Sequence, residues 1–178
     1  MGAGVIESDA LSRDEINSNE VKAILREWWG DGVFGPKNDI DREKVASRVF
    51  ADPGERRRLE ELLHPRVARR RAETVAELQK QPRIRMIVVD SPLLYEAGVD
   101  VECDAVIFVD ADEEVRRQRS EKLRDWPKGE IARREKQQMS LDTKMAKADY
   151  MVDSNSSLAD LRGQVNRVFS QIMTEFNG

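Results

Sequence analysis

The sequence has very little of what disulfide-stabilised, zinc-binding and membrane-spanning proteins need. Its 178 residues contain one cysteine and one histidine, so an intramolecular disulfide and a zinc site built from His and Cys ligands are both excluded. No apolar run approaches the ~20 residues of a membrane-spanning helix. The N-terminus also lacks the charged region and apolar stretch of a signal peptide. We therefore expect a cytoplasmic protein that does not contact a membrane.

The charge balance argues against a general nucleic-acid binder. The chain has 30 basic and 34 acidic residues, a net charge of −4, whereas nucleic-acid-binding domains are usually basic. The length fits one domain, or one domain with an insertion. Local basic pockets for phosphate groups remain compatible with this composition.

Four short apolar segments predict β-strands, and helical patterns lie between them. Two of the segments, 86–89 and 105–109, are continuous apolar runs, which are typical of strands buried on both faces of a parallel sheet. The alternation of strands and helices predicts an α/β fold with a parallel sheet flanked by helices. The predicted strands are Ala3 to Ile6, Arg85 to Asp90, Ala105 to Asp110 and Tyr150 to Asp153.

Two sequence signals predict where helices start, and one predicts a break. The stretch from Asp52 to Glu55 combines an acidic cap, a proline at the first helical position and a glutamate at the third. Ser157 with Asp160 is a weaker capping box for the last helix. The pair His64–Pro65 predicts a break or a new helix start, because proline lacks the N–H that a helix interior needs.

Two charged helical stretches separate the predicted strands. Residues 36–82 form the first, and we interpret them as an inserted helical subdomain. Residues 115–147 form the second, with a predicted loop at Trp126–Pro127. Its basic side chains could close over a polyphosphate, since arginines that converge bind phosphate in a bidentate manner. The candidates are Arg119, Arg124, Arg133 and Lys144.

Carboxylates follow three of the predicted strands. These are Asp9, Asp90 and Asp110. Ligands of open parallel sheets bind beyond the carboxyl ends of the strands, and acidic groups there bind magnesium or accept a proton. The alternative interpretation of each carboxylate is that it caps a helix or is a solvated loop residue.

Taken together and in chain order, these residues resemble the dephospho-CoA kinase family. That family transfers the γ-phosphate of ATP to the ribose 3′-hydroxyl of dephospho-CoA, the last step of CoA synthesis. The resemblance covers nearly all of the chain. The motifs that carry it are Gly4 to Asp9 with Arg13, Gly32-Val33-Phe34, Ile40-Asp41-Arg42, Leu62-Leu63-His64-Pro65, Asp90 to Glu96, Arg119, Arg133-Arg134-Glu135 with Gln138 and Lys144, Ala148-Asp149, and Val152 to Asn155.

The resemblance implies a P-loop kinase core with a helical CoA-side subdomain (36–82) and a lid (115–147). Asp9 matches the family's general base, which would also be the magnesium ligand, and Glu7 stands where the family has another Asp. Arg13 would contact the acceptor. ATP would be the phosphoryl donor, with Mg²⁺ as the cofactor and dephospho-CoA as the acceptor.

The resemblance also implies roles for residues later in the chain. His64 and the segment from Asp90 to Glu96, with Pro92 and Leu93, would line the acceptor side. The lid cations Arg119, Arg124 and Lys144 would neutralise charge on the transferred phosphoryl group. The spacing leaves open which of the two arginines is the lid residue. Asn155 would border the adenine.

One motif of the family does not occur in these 178 residues. The family begins with a strand, the loop Gly-x-Gly-x-Gly-Lys-Ser and a helix, and the loop holds phosphates through backbone N–H groups and a lysine. No Gly-Lys-Ser or Gly-Lys-Thr occurs here. We therefore expect that the first strand and this loop, roughly 20–30 residues, are missing ahead of Met1. We expect the chain alone to be a poor kinase of marginal stability.

Three interpretations follow from that expectation. In the first, the gene start is misplaced and the full protein is an ordinary dephospho-CoA kinase. In the second, the chain is a non-catalytic module that binds dephospho-CoA or CoA without binding ATP. In the third, its charged helices serve a protein–protein contact.

Overall fold

The computed structural model describes residues 2–123, 129–136 and 138–176. These residues form two compact units, one ending at Pro92 and the other beginning at Leu93. Within the described ranges, each unit contains one pair of parallel strands. The α/β prediction is therefore confirmed, and the four described strands pair two and two.

The first unit contains a strand pair and a group of helices. Its elements follow the order β1 (Ala3–Glu7), α1 (Ser8–Ile16), α2 (Asn19–Trp29), a 3₁₀ turn (Gly30–Val33), α3 (Arg42–Ala51), α4 (Pro53–Gln79) and β2 (Met86–Asp90).

Strand β1 pairs in parallel with β2, and one face of the pair packs against α4. Val5 lies opposite Val88 in the register, and Ile6 lies opposite Val89. A Cβ at Gly4 would lie 2.9 Å from Cδ1 of Leu78 on α4, so a larger residue there would require the Leu78 side chain to shift. On the other face Val5 is 60% exposed. The pair therefore buries one apolar face and leaves the other open among the described residues.

The helices of the first unit share a hydrophobic core. Val21 and Leu25 of α2 are fully buried, as the 3.6-residue period of apolar positions in this helix requires. They pack with Phe34, Val45 and Trp29, whose indole Nε1–H donates to Glu55 Oε2 at 2.6 Å. Helix α2, which precedes residue 36, therefore contributes to the same core as α3. The boundaries of the proposed helical subdomain (36–82) stay a prediction.

Helix α4 is continuous through Pro65, so the predicted break at His64–Pro65 is wrong. The helix starts as predicted, because the Asp52 carboxylate accepts from the N–H groups of Gly54 and Glu55. Ahead of the proline Leu62 packs against the core, and after it Leu78 packs against β1. Tertiary packing of both halves therefore overrides the local cost of the proline.

The second unit has the other strand pair. Its elements follow the order β3 (Ile107–Asp110), α5 (Glu113–Leu123), α6 (Glu130–Glu135), α7 (Leu141–Lys147), β4 (Tyr150–Asp153) and α8 (Leu158–Phe176), with a 3₁₀ turn at Asp100–Glu102 ahead of β3.

Strand β3 is shorter than predicted and begins at Ile107 instead of Ala105. Val106 stands just before the ladder: its N–H donates to the Asp149 carboxylate at 2.8 Å, and its carbonyl accepts from the N–H of Asp149 and Tyr150. Strand β4 pairs with β3 in parallel, with Asp110 opposite Asp153. The Ser157 half of the predicted capping box is confirmed, since Ser157 Oγ accepts from the N–H of Asp160 at 3.2 Å. The Asp160 carboxylate accepts from the Ser157 hydroxyl at 2.6 Å, whereas a full box requires it to accept from the backbone N–H of Ser157.

The predicted lid region (115–147) contains most of α5 and all of α6 and α7. The loop predicted at Trp126–Pro127 and the candidate residue Arg124 lie outside the described residues. Among the helices that the structure describes, none combines the length and apolar character that crossing a membrane requires.

Candidate active site

Asp9 lies at the junction between strand β1 and helix α1. Strand β1 ends at Glu7 and α1 begins at Ser8, so Asp9 occupies the first turn of α1. Its side chain is exposed and contacts no hydrogen-bond or ion-pair partner in the part of the chain that the structure describes. The carboxylate is thus available to a ligand.

Helices α1 and α3 enclose a pocket beside Asp9. Its volume is about 180 Å³. Because side chains three and four residues apart share one face of a helix, Asp9, Ser12 and Arg13 all face this pocket. Helix α3 adds Arg42 and an apolar wall that includes Val45. The structure therefore brings together two of the predicted site residues, Asp9 and Arg13.

Arg42 is a charged residue of the pocket to which sequence reasoning assigned no role. The Asp41 carboxylate caps α3 by accepting from the N–H groups of Glu43 and Lys44, which places Arg42 at the first position of the helix. The cap could have been found in the sequence. The packing of α1 and α3 on α4, which brings Arg42 to the pocket, could not.

Two acidic side chains meet at the carboxyl end of the first strand pair. Glu7 and Asp90 are register partners in parallel strands, so their side chains are neighbours on one face of the sheet. Like charges in that arrangement repel. Asp90 therefore lies beside Glu7, at the strand end that precedes Asp9, as expected for a ligand-binding edge.

The structure does not place the other predicted acceptor residues in this pocket. His64 is exposed on α4. Pro92 and Leu93 follow β2 in a turn, and Leu93 is 44% exposed. Their roles in acceptor binding stay predictions.

In the second unit, Glu96 and Lys144 form an ion pair. Their Oε1 and Nζ atoms are 2.9 Å apart, and Lys144 is 9% exposed. Glu96 Oε1 also accepts from the N–H of Met139 at 2.7 Å. Burial raises the pKa of Glu96, but the hydrogen bonds from Lys144 and Met139 outweigh it and hold the pKa below its usual value. Glu96, predicted to contact the acceptor, thus holds the segment ahead of α7.

The remaining predicted residues of the second unit hold the end of β4. Arg119 Nη1 donates to Ser154 Oγ at 2.8 Å, and Nη2 donates to the carbonyl of Ser154 at 2.7 Å. Asn155 Oδ1 accepts from the N–H of Asp112 at 2.7 Å. These contacts fix Arg119 and Asn155 next to one another. The lid and adenine roles predicted for them are not tested by this geometry.

For a bound Mg²⁺ ion, Asp9 would supply a single carboxylate ligand and not a complete coordination shell. Within residues 2–123, 129–136 and 138–176, no group of three or more His, Cys, Asp or Glu side chains could hold a metal ion. Mg²⁺ usually keeps several waters and binds through one or two carboxylates together with substrate phosphates. A single ligand from Asp9 is compatible with that mode of binding.

Comparison with known proteins identifies relatives along the whole chain. The family model described as dephospho-CoA kinase matches residues 1–160. A dephospho-CoA kinase of Syntrophotalea carbinolica is 35% identical over 180 residues, covering 100% of this chain and 84% of the relative. One of Anaeromyxobacter dehalogenans is 34% identical over 172 residues, covering 96% and 81%.

Two solved structures share the fold. The crystal structure of TT1252 from Thermus thermophilus matches with a TM-score of 0.80 and 27% identity, covering 99% of this chain and 86% of that chain. The dephospho-CoA kinase from Campylobacter jejuni matches with a TM-score of 0.69 and 22% identity, covering 98% and 87%.

Proposed function

The chain belongs to the dephospho-CoA kinase family, and from that premise we propose that its site serves phosphoryl transfer from ATP to the ribose 3′-hydroxyl of dephospho-CoA. The observation that carries the proposal is the position of Asp9. Its carboxylate stands at the strand–helix junction, has no partner among the described residues, and lines one pocket with Arg13 and Arg42.

Asp9 accepts the proton of the 3′-hydroxyl in the proposed reaction. The hydroxyl oxygen forms a bond to the γ-phosphorus as the bond to the β–γ bridging oxygen breaks, and ADP leaves. General-base catalysis of this kind contributes about 10²–10⁴-fold. Mg²⁺ bound with the triphosphate supplies charge neutralisation in such reactions. Arg13 holds the acceptor near Asp9.

The basic residues of the second unit stabilise charge on the transferred phosphoryl group in this proposal. The two contacts of Arg119 with Ser154 fix its guanidinium and leave further N–H donors of the five for phosphate. The Lys144 ammonium is oriented by Glu96. Arg124, outside the described residues, is the alternative lid arginine. Asn155 borders the adenine.

Incubation with ATP, Mg²⁺ and dephospho-CoA tests the proposal. We expect 3′-phosphorylated product, identified as CoA by mass spectrometry and by ³¹P NMR, and dependent on both ATP and Mg²⁺. Because these 178 residues contain no Gly-Lys-Ser or Gly-Lys-Thr, we expect turnover below the about 1–100 s⁻¹ that is typical of kinases. A protein that neither forms CoA nor binds dephospho-CoA contradicts it.

A second candidate is a module that binds dephospho-CoA without phosphorylating it. The observation that favours it is that these 178 residues contain no Gly-Lys-Ser or Gly-Lys-Thr, so by themselves they supply no phosphate-binding loop of that type. Calorimetry distinguishes the two candidates. Binding of dephospho-CoA with no binding of ATP and no CoA formed favours the module.

A further inference from the structure

The pocket between α1 and α3 carries charged side chains without protein partners. Two neighbouring carboxylates are engaged: Glu15 of α1 pairs with Arg66 at 3.8 Å, and Asp41, the cap of α3, pairs with Lys44 at 3.4 Å. By contrast, the guanidinium groups of Arg13 and Arg42 contact no carboxylate or other hydrogen-bond acceptor in the ranges that the structure describes.

The pocket therefore favours an anion. Two guanidinium groups face one carboxylate, that of Asp9, and the hydroxyl of Ser12 adds a further donor. The carboxylate of Asp41, adjacent to Arg42 in the chain, is held by backbone N–H groups and by Lys44, and the N–H of Lys44 is the main reason that its pKa lies below the usual value. It does not neutralise Arg42.

We propose that Arg42, together with Arg13, binds the 5′-diphosphate of the acceptor nucleotide. The inference rests on the proposed function, because it takes Asp9 as the base for the 3′-hydroxyl. The diphosphate and that hydroxyl belong to the same nucleotide, so a pair of arginines that holds the diphosphate also limits where the hydroxyl can lie. Guanidinium groups suit this task because each forms paired hydrogen bonds to phosphate oxygens.

The helix geometry supports one ligand that spans the base and the cations. Asp9 and Arg13 are four residues apart on α1, and residues with this spacing have Cβ atoms about 5–6 Å apart on one face. Arg42 approaches the same pocket from α3. Ile16 and Val45 also line the pocket, and because their side chains offer an anion no hydrogen bond, the arginines and Ser12 are its donors.

Titration of the protein with dephospho-CoA, adenosine and inorganic pyrophosphate tests the assignment. Arg42→Ala is expected to weaken dephospho-CoA binding about 10- to 100-fold, as for a lost hydrogen-bonded contact to a charged group. Adenosine, which lacks phosphate, is expected to bind both proteins within about twofold. Arg42→Lys keeps the charge but loses the paired geometry, so its dephospho-CoA affinity should lie between those of Arg42→Ala and the unsubstituted protein.

Matched controls separate binding from folding. Arg57 on α4 is exposed, lies outside the pocket and forms no described side-chain contact, so Arg57→Ala is expected to leave dephospho-CoA affinity unchanged. Thermal unfolding of each variant without ligand checks that it folds. The dissociation constant of Arg42→Ala for dephospho-CoA should also depend less steeply on salt than that of the unsubstituted protein. The variant forms fewer ionic contacts with the ligand, so salt has fewer contacts to screen.

The outcomes distinguish this inference from the proposed function. Equal dephospho-CoA affinity in Arg42→Ala and the unsubstituted protein overturns the inference and leaves the proposed function standing. Absence of dephospho-CoA binding in the unsubstituted protein counts against the proposed function. In that case, pyrophosphate binding that is lost in Arg42→Ala would still support an anion site at Arg42. If pyrophosphate does not bind either, the inference about Arg42 is overturned together with the proposed function.

Discussion

Charged side chains of the first unit divide by whether they have partners. Arg26 contacts Asp31 at 2.7 Å and Arg56 contacts Glu60 at 2.8 Å, and such exposed pairs contribute little stability, about 0–1 kcal/mol each. Asp9, Arg13 and Arg42 face one pocket instead, and no partner is described for their side chains. Unpaired charges that converge are poorly explained by stability, so they indicate ligand binding.

Replacing Asp9 by asparagine tests its role as the base. Asp9→Asn is expected to reduce turnover about 10²–10⁴-fold, because the amide cannot accept the proton, while dephospho-CoA affinity changes little. The measurement is steady-state kinetics of CoA formation together with calorimetry of acceptor binding.

A matched control for this substitution lies on the same helix. Asp14 is exposed, outside the pocket and without a described side-chain partner, so Asp14→Asn should leave turnover within about twofold. A loss below threefold in Asp9→Asn would move the base elsewhere. Glu7, which lies beside Asp90 at the end of β1, is the next residue to substitute.

Glu96 is expected to make the stability of the second unit depend on pH. Its pKa is lowered in the folded protein, so its contribution is fully present above the ordinary value of 4.5 and is lost as pH falls through the lower folded pKa. Glu96→Gln should lower the free energy of unfolding by about 1–3 kcal/mol near neutral pH, because the charge-assisted hydrogen bond between Lys144 and Glu96 is lost. It should also flatten the acid limb of the stability profile.

Urea unfolding from pH 3 to pH 7 measures this effect. Glu113 is exposed at the start of α5, and no side-chain partner is described for it, so Glu113→Gln serves as the control and should change stability by less than about 0.5 kcal/mol. An unchanged pH profile in Glu96→Gln would mean that the ion pair with Lys144 does not persist in solution.

Residue-scale prediction succeeds where a motif carries the residue and stops where two helices must pack first. Asp9 and Arg13 were identified from a motif in one segment, and the structure places both at one pocket. Arg42 belongs to a different motif, Ile40-Asp41-Arg42, so its place at that pocket depends on how α1 and α3 both pack on α4. Glu96 and Lys144 were each predicted as ligand contacts, and their ion pair was not foreseen for the same reason.

At the scale of elements, local signals predicted starts better than interruptions. The Asp52 cap of α4 and the Ser157 cap of α8 were both confirmed, because a cap is a local hydrogen bond that the neighbouring residues decide. Pro65 was predicted to break α4 and does not. Whether a proline interrupts a helix depends on distant packing, here that of Leu62 on the core and Leu78 on β1.

Pro65→Ala is expected to stabilise the first unit. Alanine restores an N–H that can donate within α4 and removes the contact of the ring with the preceding turn. The loss of proline's restriction of the unfolded chain offsets about 0.4–1 kcal/mol of that gain. The expected net increase in the free energy of unfolding is about 1–2 kcal/mol, measured by urea denaturation.

Arg57→Ala on the same helix is the control for added alanine. It introduces the same side chain at an exposed site and should change stability by less than about 0.5 kcal/mol. A destabilised Pro65→Ala variant would show that the packing of α4 requires the geometry that the proline imposes.

At the scale of the whole molecule, the alternation of strands and helices in the sequence predicted the class of fold. It did not predict which strands pair with one another. Apolar runs identify strands but carry no information on which strands become neighbours. The described strands form two separate parallel pairs, and Val5 and Val109 remain 60% and 59% exposed on them. Both faces of a parallel sheet are usually covered by helices. Among the described residues, the strands are therefore less buried than their continuous apolar runs predict.

Ligand-linked stability is the prediction that belongs to the whole molecule. If the acceptor binds the folded protein only, dephospho-CoA at about 100 times its dissociation constant adds about 2.7 kcal/mol to the free energy of unfolding. For a chain of this size that corresponds to a rise in Tm of about 5–10 °C. Arg42→Ala at the same ligand concentration should show a clearly smaller rise, and Arg57→Ala the full one.

Hydrogen exchange then locates the effect, because the predicted ligand contacts Asp9, Arg13 and Arg42 all belong to the first unit. Amides of α1 and of the first turn of α3 should gain the most protection on adding dephospho-CoA, since ligand binding raises the free energy of the local openings that expose them. Adenosine should protect them less, because it offers no anion to the arginines. Protection that is equal for both ligands, or a Tm that dephospho-CoA leaves unchanged at saturation, would favour the protein-contact interpretation over any nucleotide-binding function of these residues.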